Sequence, residues 1–434
     1  MNFRSIPMML ILLIFNLSYA EVIFIEGTVE DVISKEPLSY ANISISGTDR
    51  GTISNKNGKY SLEIDEMENI LIVSYIGYKT DTIIVDVDIE GNFIILPITL
   101  IPEPILMREV SVIAGYNYAE ELLVNACERI RQESDNLRYR QAFYRQFTAS
   151  DSRYLSVWEM FYDLLANKNG IEEWSIRQGR EASLIVDRTD MIWGEDNLSY
   201  ITKAFKATQG KESIFSFLPF VRRNTVLAPI RPDPRKYFNC SIEGYRTQDG
   251  RSVAIISVTP EEKYNRPIMG GTVEIFEDDY QLLRFELAVS HPDLNRIILL
   301  PRTGPFSELS LYAEDTRIEF TMTYRQVVED AWGLDRIEID MANHVLSKTN
   351  PDYHRYMRRH LVMLFFNYAA ADRYMGVSTS QSDRIIIREE LEYDPDFWQN
   401  NSAIMDEVPM EEEIVQFFQA HAFRGNALPG GVND

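Results

Sequence analysis

Cysteine, histidine, positive charge and long hydrophobic runs are all scarce in this chain, and each shortage excludes a class of function. Only Cys127 and Cys240 occur among 434 residues. Two cysteines make no disulfide framework, and a chain of this size does not need one. One bridge or two separate buried thiols remain open, the second being the commoner outcome in a chain that can build a large core. The five histidines are His291, His344, His354, His360 and His421. None is followed three residues later by Glu or Asp, and no His-Glu-x-x-His run occurs, so the ligand spacings of zinc peptidases are missing. No Gly-x-Ser-x-Gly elbow, phosphate loop or dinucleotide fingerprint is present either. Asn55 to Gly58 has the look of a calcium loop. With Gly58 as the sixth position, however, Ile53 stands first and Ile64 twelfth, where acidic ligands are required. The sequence therefore assigns no catalytic, cofactor-binding or metal-binding residue.

Lys and Arg number 43 against 66 Asp and Glu, a net charge of −23. A nucleic-acid surface has to supply positive charge along its footprint, so that partner is excluded, and a solvated acidic surface is the plain reading. Beyond the first 20 residues no window approaches the roughly 18 uninterrupted apolar residues of a membrane-spanning helix.

Residues 1–20 do read as a leader. Arg4 precedes an apolar run from Met8 to Leu17, and Ser18-Tyr19-Ala20 places small residues at a cleavage point. No cysteine follows Ala20, so the expectation is an exported chain without a lipid anchor, acting in the periplasm or at the outer membrane.

From Val22 to Leu100 short apolar-alternating runs are joined by turn residues, with no helical pattern between them. That predicts a small antiparallel β-sandwich over residues 21–101. The fixed landmarks are Glu36-Pro37-Leu38, Ala41-Asn42, Gly47-Thr48, Gly51-Thr52, Asn57-Gly58-Lys59-Tyr60 and Tyr75-Ile76-Gly77-Tyr78. In this order they resemble the carboxypeptidase-regulatory-like, or transthyretin-like, domain common in exported proteins of Bacteroidetes. The resemblance implies an accessory fold and carries no peptidase chemistry. Arg108 to Val112 is similar to the segment before the plug of many TonB-dependent receptors. The residues after it are too few for a plug and a barrel of about 22 strands.

Pro102 and Pro104 stiffen a linker over 102–116. Asn117 can cap a helix from Tyr118 to about Glu133, on which Ala119, Leu122, Leu123, Ala126, Cys127 and Ile130 form one apolar stripe. Strand patterns then dominate to residue 392: Tyr139–Thr148, Tyr154–Leu165, Tyr237–Thr247, Arg251–Val258, Gly270–Phe276, Leu282–Val289, Thr316–Val328, Leu334–Val345 and His360–Ala369. A helix followed by consecutive long hairpins predicts one curved antiparallel sheet, half-barrel-like, wrapped on the helix or on a ligand. The hairpin from Gly270 to Val289 resembles that of lipoprotein-carrier-like half-barrels. Residues 393–434 read as a turn, a short acidic helix from Met410 to Ala420 and a disordered tail.

Two features bear on binding. His354, Arg355, Arg358, Arg359 and His360 form a basic cluster, either an anionic-ligand or lipid-headgroup site or a solvated strand entry, the latter being usual for a charge run. Trp158, Phe161, Trp174, Trp193, Trp332 and Trp398 either line an apolar cavity or fill a core, core being the usual place for such rings. The leading expectation is a non-catalytic envelope protein binding an apolar, lipid-like or protein ligand. A hydrolase using carboxylates of the second domain, and a structural adaptor of a TonB-dependent system, are the alternatives.

Overall fold

The computed structural model describes residues 22–48, 50–55, 57–65, 70–86, 93–103, 105–106, 117–183, 207, 227–297, 308–328, 331–370 and 391–401. The expected leader, Arg108 to Val112, Trp193 and the helix expected at 410–420 lie outside these residues.

The N-terminal domain is the expected sandwich. One layer joins β4 (Lys59–Asp65), β1 (Val22–Asp31) and β7 (Phe93–Ile95), with β8 (Ile98–Leu100) also on β1. The other has the order β3 (Gly51–Ile53), β2 (Asn42–Ile45), β5 (Ile70–Ser74), β6 (Asp81–Ile84). Both β7 and β8 run parallel to β1, an orientation that apolar alternation does not encode. Alternate residues of the two layers, Ile25, Val29, Ile43, Ile64, Leu71 and Val73, close the core between them.

The family landmarks turn out to be structural. In the Asn-Lys-Asn-Gly turn the Asn55 side chain accepts from the Asn57 and Lys59 N–H groups, and Gly58 takes φ +72°, the left-handed region a glycine enters without strain. Gly27 lets β1 pass so close to Leu96 that an added Cβ would stand 1.9 Å from the Leu96 carbonyl oxygen, which the Tyr60 hydroxyl bonds at 2.7 Å. Tyr78 donates to Asp31 at 2.7 Å. The Ser34 N–H and that hydroxyl hold the Asp31 carboxyl below its ordinary range.

The second domain is built on α1 (Tyr118–Gln132), whose buried residues are the six of the expected stripe. Asn117 caps it, accepting from the Glu120 N–H and donating to the Cys240 carbonyl at 2.9 Å. Ten long strands follow: β10 (Arg138–Ser150), β11 (Arg153–Ala166), β12 (Ile171–Ser183), β13 (Phe238–Gln248), β14 (Arg251–Pro260), β15 (Gly270–Phe276), β16 (Leu282–Ser290), β17 (Leu311–Val328), β18 (Ala331–Ser347) and β19 (His354–Ala370). Their order is β12-β11-β10-β19-β18-β17-β16-β15-β14-β13, antiparallel throughout, and β9 (Ile105–Leu106) extends the β13 edge from within the linker. The two edges do not meet, so the sheet stays open.

Two departures from the sequence reading have physical causes. Strand β12 carries charged residues on both faces and so shows no alternation, yet it pairs along β11. Strand β19 begins at His354, six residues before the expected start, because cross-strand pairing to β18 extends it through charged positions.

One face of the sheet carries α1 and shares with it a core that includes Ala254, Ile275, Phe285, Phe320, Ile339, Met341 and Phe365. This is a filled core, and Trp158, Trp174 and Trp332 pack in or against it. The opposite face carries a second cluster, Phe143, Phe161, Leu364 and Phe366, capped by Trp398 of the short helix α2 (Pro395–Asn400) and reached by Ile53 and Tyr40 of the sandwich. Asp394 caps α2, accepting from the N–H groups of Asp396 and Phe397.

Cys127 and Cys240 are free and buried in the helix-facing core. Burial pushes the Cys127 thiol up to about 11 and that of Cys240 up to about 12, which removes the reactive thiolate near neutral pH. Native protein is expected not to react with a thiol-specific dye near neutral pH and to react at both positions after denaturation. Rapid labelling of folded protein would contradict this packing.

Candidate functional site

The outward face of the large sheet and the β3-β2-β5-β6 layer of the sandwich meet across a cleft. At one end the β13–β14 turn reaches the Tyr75-to-Tyr78 corner. The Gln248 amide accepts from the Gly77 N–H at 3.1 Å and donates to the Tyr78 carbonyl at 2.9 Å, while Asp249 accepts from the Thr80 N–H at 2.7 Å. Glu103 takes the Asp249 N–H at 3.1 Å, and burial, together with the Asp249 carboxylate, raises its carboxyl. At the other end Arg336 of β18 lies 4.0 Å over the Tyr40 ring, beside Ile53. The Tyr75-to-Tyr78 corner thus serves as a socket for the second domain.

Between these contacts is a cleft of about 950 Å³. Strand alternation decides its lining. On β2, Ile43 and Ile45 point into the sandwich core, so Asn42 and Ser44 point to the cleft. On β17 and β18, Ile318, Phe320, Ile337 and Ile339 face α1, which turns Glu319, Thr321, Glu338 and Asp340 to the cleft. Its arginines are matched by carboxylates: Arg284 with Glu286, Arg325 with Asp335 at 3.1 Å, and Arg336 with Glu338. Asn42 is different. It is 5% exposed, and its carboxamide oxygen has no hydrogen-bond partner among the described residues. A buried acceptor left open carries a desolvation cost of about 1–3 kcal/mol that a ligand donor would remove.

The five residues of the basic cluster lie along β19 and are split by strand alternation. His354, Arg358 and His360 share the outward face, whereas Arg355 and Arg359 share the other. Arg359 is buried and donates to the Asn343 side chain at 3.0 Å. Arg355 lies over Tyr353, and the His354 ring meets His344 at 4.9 Å. His360 alone reaches the cleft wall. Its Nδ1 is 2.8 Å from Asp340, its Nε2 is 3.7 Å from Glu338, and its ring packs on Phe147 at 5.1 Å.

Sequence reasoning left Asn42, Glu338 and Asp340 unassigned. A readable signal existed for the last two: Ile337, Ile339 and Met341 alternate with them, so both carboxylates belong on the face away from the core. Their meeting with His360 depends on the β18–β19 register, which pairs Asp340 with His360. No local pattern reveals that register.

No curated protein matches this chain. Among solved structures, a candidate membrane-associated protein of unknown function from Bacteroides fragilis aligns over 80% of this chain and 99% of its own, at 10% identity and TM-score 0.16. A DUF1329 family protein from Desulfovibrio piger aligns over 61% and 96%, at 9% identity and TM-score 0.23. MucB in complex with MucA(peri) aligns over 57% and 93%, at 10% identity and TM-score 0.18. At such scores these likenesses set no expectation for the ligand of this chain. The N-terminal domain is another matter: residues 25–112 match the CarboxypepD_reg-like domain family, as the landmarks from Glu36 to Tyr78 imply.

Proposed function

We propose that this protein is a non-catalytic binding protein of the cell envelope, and that its ligand site is the cleft between the two domains. The observation that carries this reading is the cleft of about 950 Å³ with the open carboxamide oxygen of Asn42. The leader-like residues 1–20 support export, and among the described residues no helix is long and apolar enough to cross a membrane. The helix-facing side of the sheet is packed with side chains. A lipid enclosed there, as in a hollow half-barrel, has no room among these residues. The cleft itself is walled by hydroxyl, amide and charged groups interspersed with apolar ones such as Ile72, Leu283, Val327 and Trp332. That mixed lining fits an extended protein segment, which brings side chains of both kinds and N–H groups that can meet Asn42.

The test is site-specific photo-crosslinking in envelope fractions of the native host. A photoreactive residue at Thr321 is expected to give one discrete protein adduct, lost when Ser44→Trp fills the cleft. The same residue at the exposed Asp352 turn is expected to give none. Equal labelling from both positions, or an adduct with lipid only, would remove the reading. A hydrolase would announce itself by turnover of an ester, glycoside or peptide substrate that a single Asp or Glu substitution abolishes.

A further inference from the structure

We propose that Glu338, Asp340 and His360 form a binding site for a divalent first-row transition metal ion on the wall of the cleft. Two independent pairings make the cluster. The two-residue period of β18 puts both carboxylates on one face, and the antiparallel register sets His360 directly across from Asp340. One donor atom from each of the three lies within 4.8 Å of the other two.

The distance between His360 and Glu338 suits a shared ion. Ligand atoms placed on one tetrahedral ion at about 2.1 Å stand about 3.4 Å apart. The 3.7 Å between His360 Nε2 and Glu338 Oε1 is too long for a hydrogen bond but close to that separation. Asp340 engages the other ring nitrogen. Arg336 holds the second oxygen of Glu338, Oε2, and so aims Oε1 at the imidazole. Closing the three donors on one ion at Nε2 requires the Asp340 carboxylate to leave Nδ1 and swing to the Nε2 side. Asp340, with its side chain 52% exposed, is free to make such a shift.

A separate observation points to a ligand in the same cleft. Asn42 Oδ1, an acceptor, is buried without a hydrogen-bond partner among the described residues, as are the Nε donors of Arg284 and Arg336, whose other nitrogens meet carboxylates. The open acceptor of Asn42 is met by an occupant that brings a donor, and the water of a hydrated cation is one. The donor set narrows the ion. One imidazole with two carboxylates suits Zn²⁺ or Mn²⁺, whereas Mg²⁺ and Ca²⁺ prefer all-oxygen shells.

The site shares the cleft of the proposed function, but its test uses the metal alone. Failure to bind metal therefore leaves the crosslinking result standing, and the reverse also holds. Chelator-treated, purified full chain is titrated with ZnCl₂ and with MgCl₂ near neutral pH by calorimetry. One equivalent of Zn²⁺ and no Mg²⁺ is expected to bind. H360Q and E338Q are each expected to weaken Zn²⁺ binding by about tenfold or more, with unchanged thermal unfolding of the metal-free protein. H354Q, on the neighbouring His344 contact, is expected to bind as wild type. Co²⁺ loaded in place of Zn²⁺ supplies a second readout, a visible d–d band that H360Q loses. Absence of Zn²⁺ binding, affinity unchanged in both H360Q and E338Q, or loss of binding in H354Q instead, would each overturn the proposal.

Discussion

Glu159→Ala is expected to remove about 3–5 kcal/mol of folding stability, read from the shift of the denaturant midpoint. Glu159 is fully buried on β11 and lies in one cross-strand row between Arg145 of β10 and Arg180 of β12. Its two oxygens are divided between them: Arg145 Nε donates to Oε1 at 2.6 Å, and Arg180 Nε to Oε2 at 2.6 Å. Trp398 of α2 covers the row, with the Arg180 guanidinium 4.2 Å from its ring. Truncation leaves two guanidinium groups facing each other with no carboxylate between them, Arg145 being 4% exposed. The triple variant R145M/E159L/R180M removes charge and desolvation cost together. It is expected to recover most of the loss. A single variant within about 0.5 kcal/mol of wild type would show that the row is open to water.

The same row predicts an acid dependence. Burial alone would push the Glu159 carboxyl up, but Arg145 and Arg180 together hold it below its ordinary value of 4.5. A carboxyl whose pKa is lower in the folded than in the unfolded state contributes stability that is present above the unfolded value. That contribution is lost as pH falls through the folded value. The stability gap between wild type and Glu159→Gln is therefore expected to be constant near neutral pH and to close on the acid side of 4.5. A gap that widens in acid would reverse the sign argued here.

Leu123→Ala is expected to cost about 2–5 kcal/mol in the unfolding of the second domain. Leu123 is fully buried where α1 lies on the sheet. The missing methyl groups leave a void among strands whose hydrogen-bonded spacing resists collapse. Glu128→Ala, on the exposed side of the same helix, is expected to change stability by less than about 0.5 kcal/mol. Similar effects from the two would mean that the helix rests loosely on the sheet.

The contrast between these two sites explains how far the sequence can be read. The α1 stripe is a local pattern of period 3.6, and all six of its residues are buried as expected. The sandwich was legible for the same reason, its turns carrying Asn-Gly and Gly-Thr signals that demand particular backbone angles. The Glu159 row, the His360 cluster and the cleft are non-local. Each depends on which residue of one strand stands opposite which residue of another, and on how the sandwich sits on the sheet. Strand β12 hid in the sequence because charged residues stand on its inner positions as well, Glu181 being buried and Arg180 paired with Glu159 of the neighbouring strand. The basic run at His354 to His360 looked like one patch because a sequence does not display the two faces of a strand.

The strand order has a consequence in time. Strand β10 is the first long strand of the sheet to be made, yet one of its two neighbours is β19, with Arg138 paired to Ala370. Until that last strand arrives, β10, β11 and β12 can form only a three-stranded leaf, with one side of β10 unpaired and the rows that include His360 and Asp340 absent. Closing a loop of this length precedes the contacts that reward it, so assembly of the sheet is expected to be slow and to be governed by the final strand. A chain cut short before His354 would expose two unpaired edges, on β10 and on β18, each competent to pair with another copy.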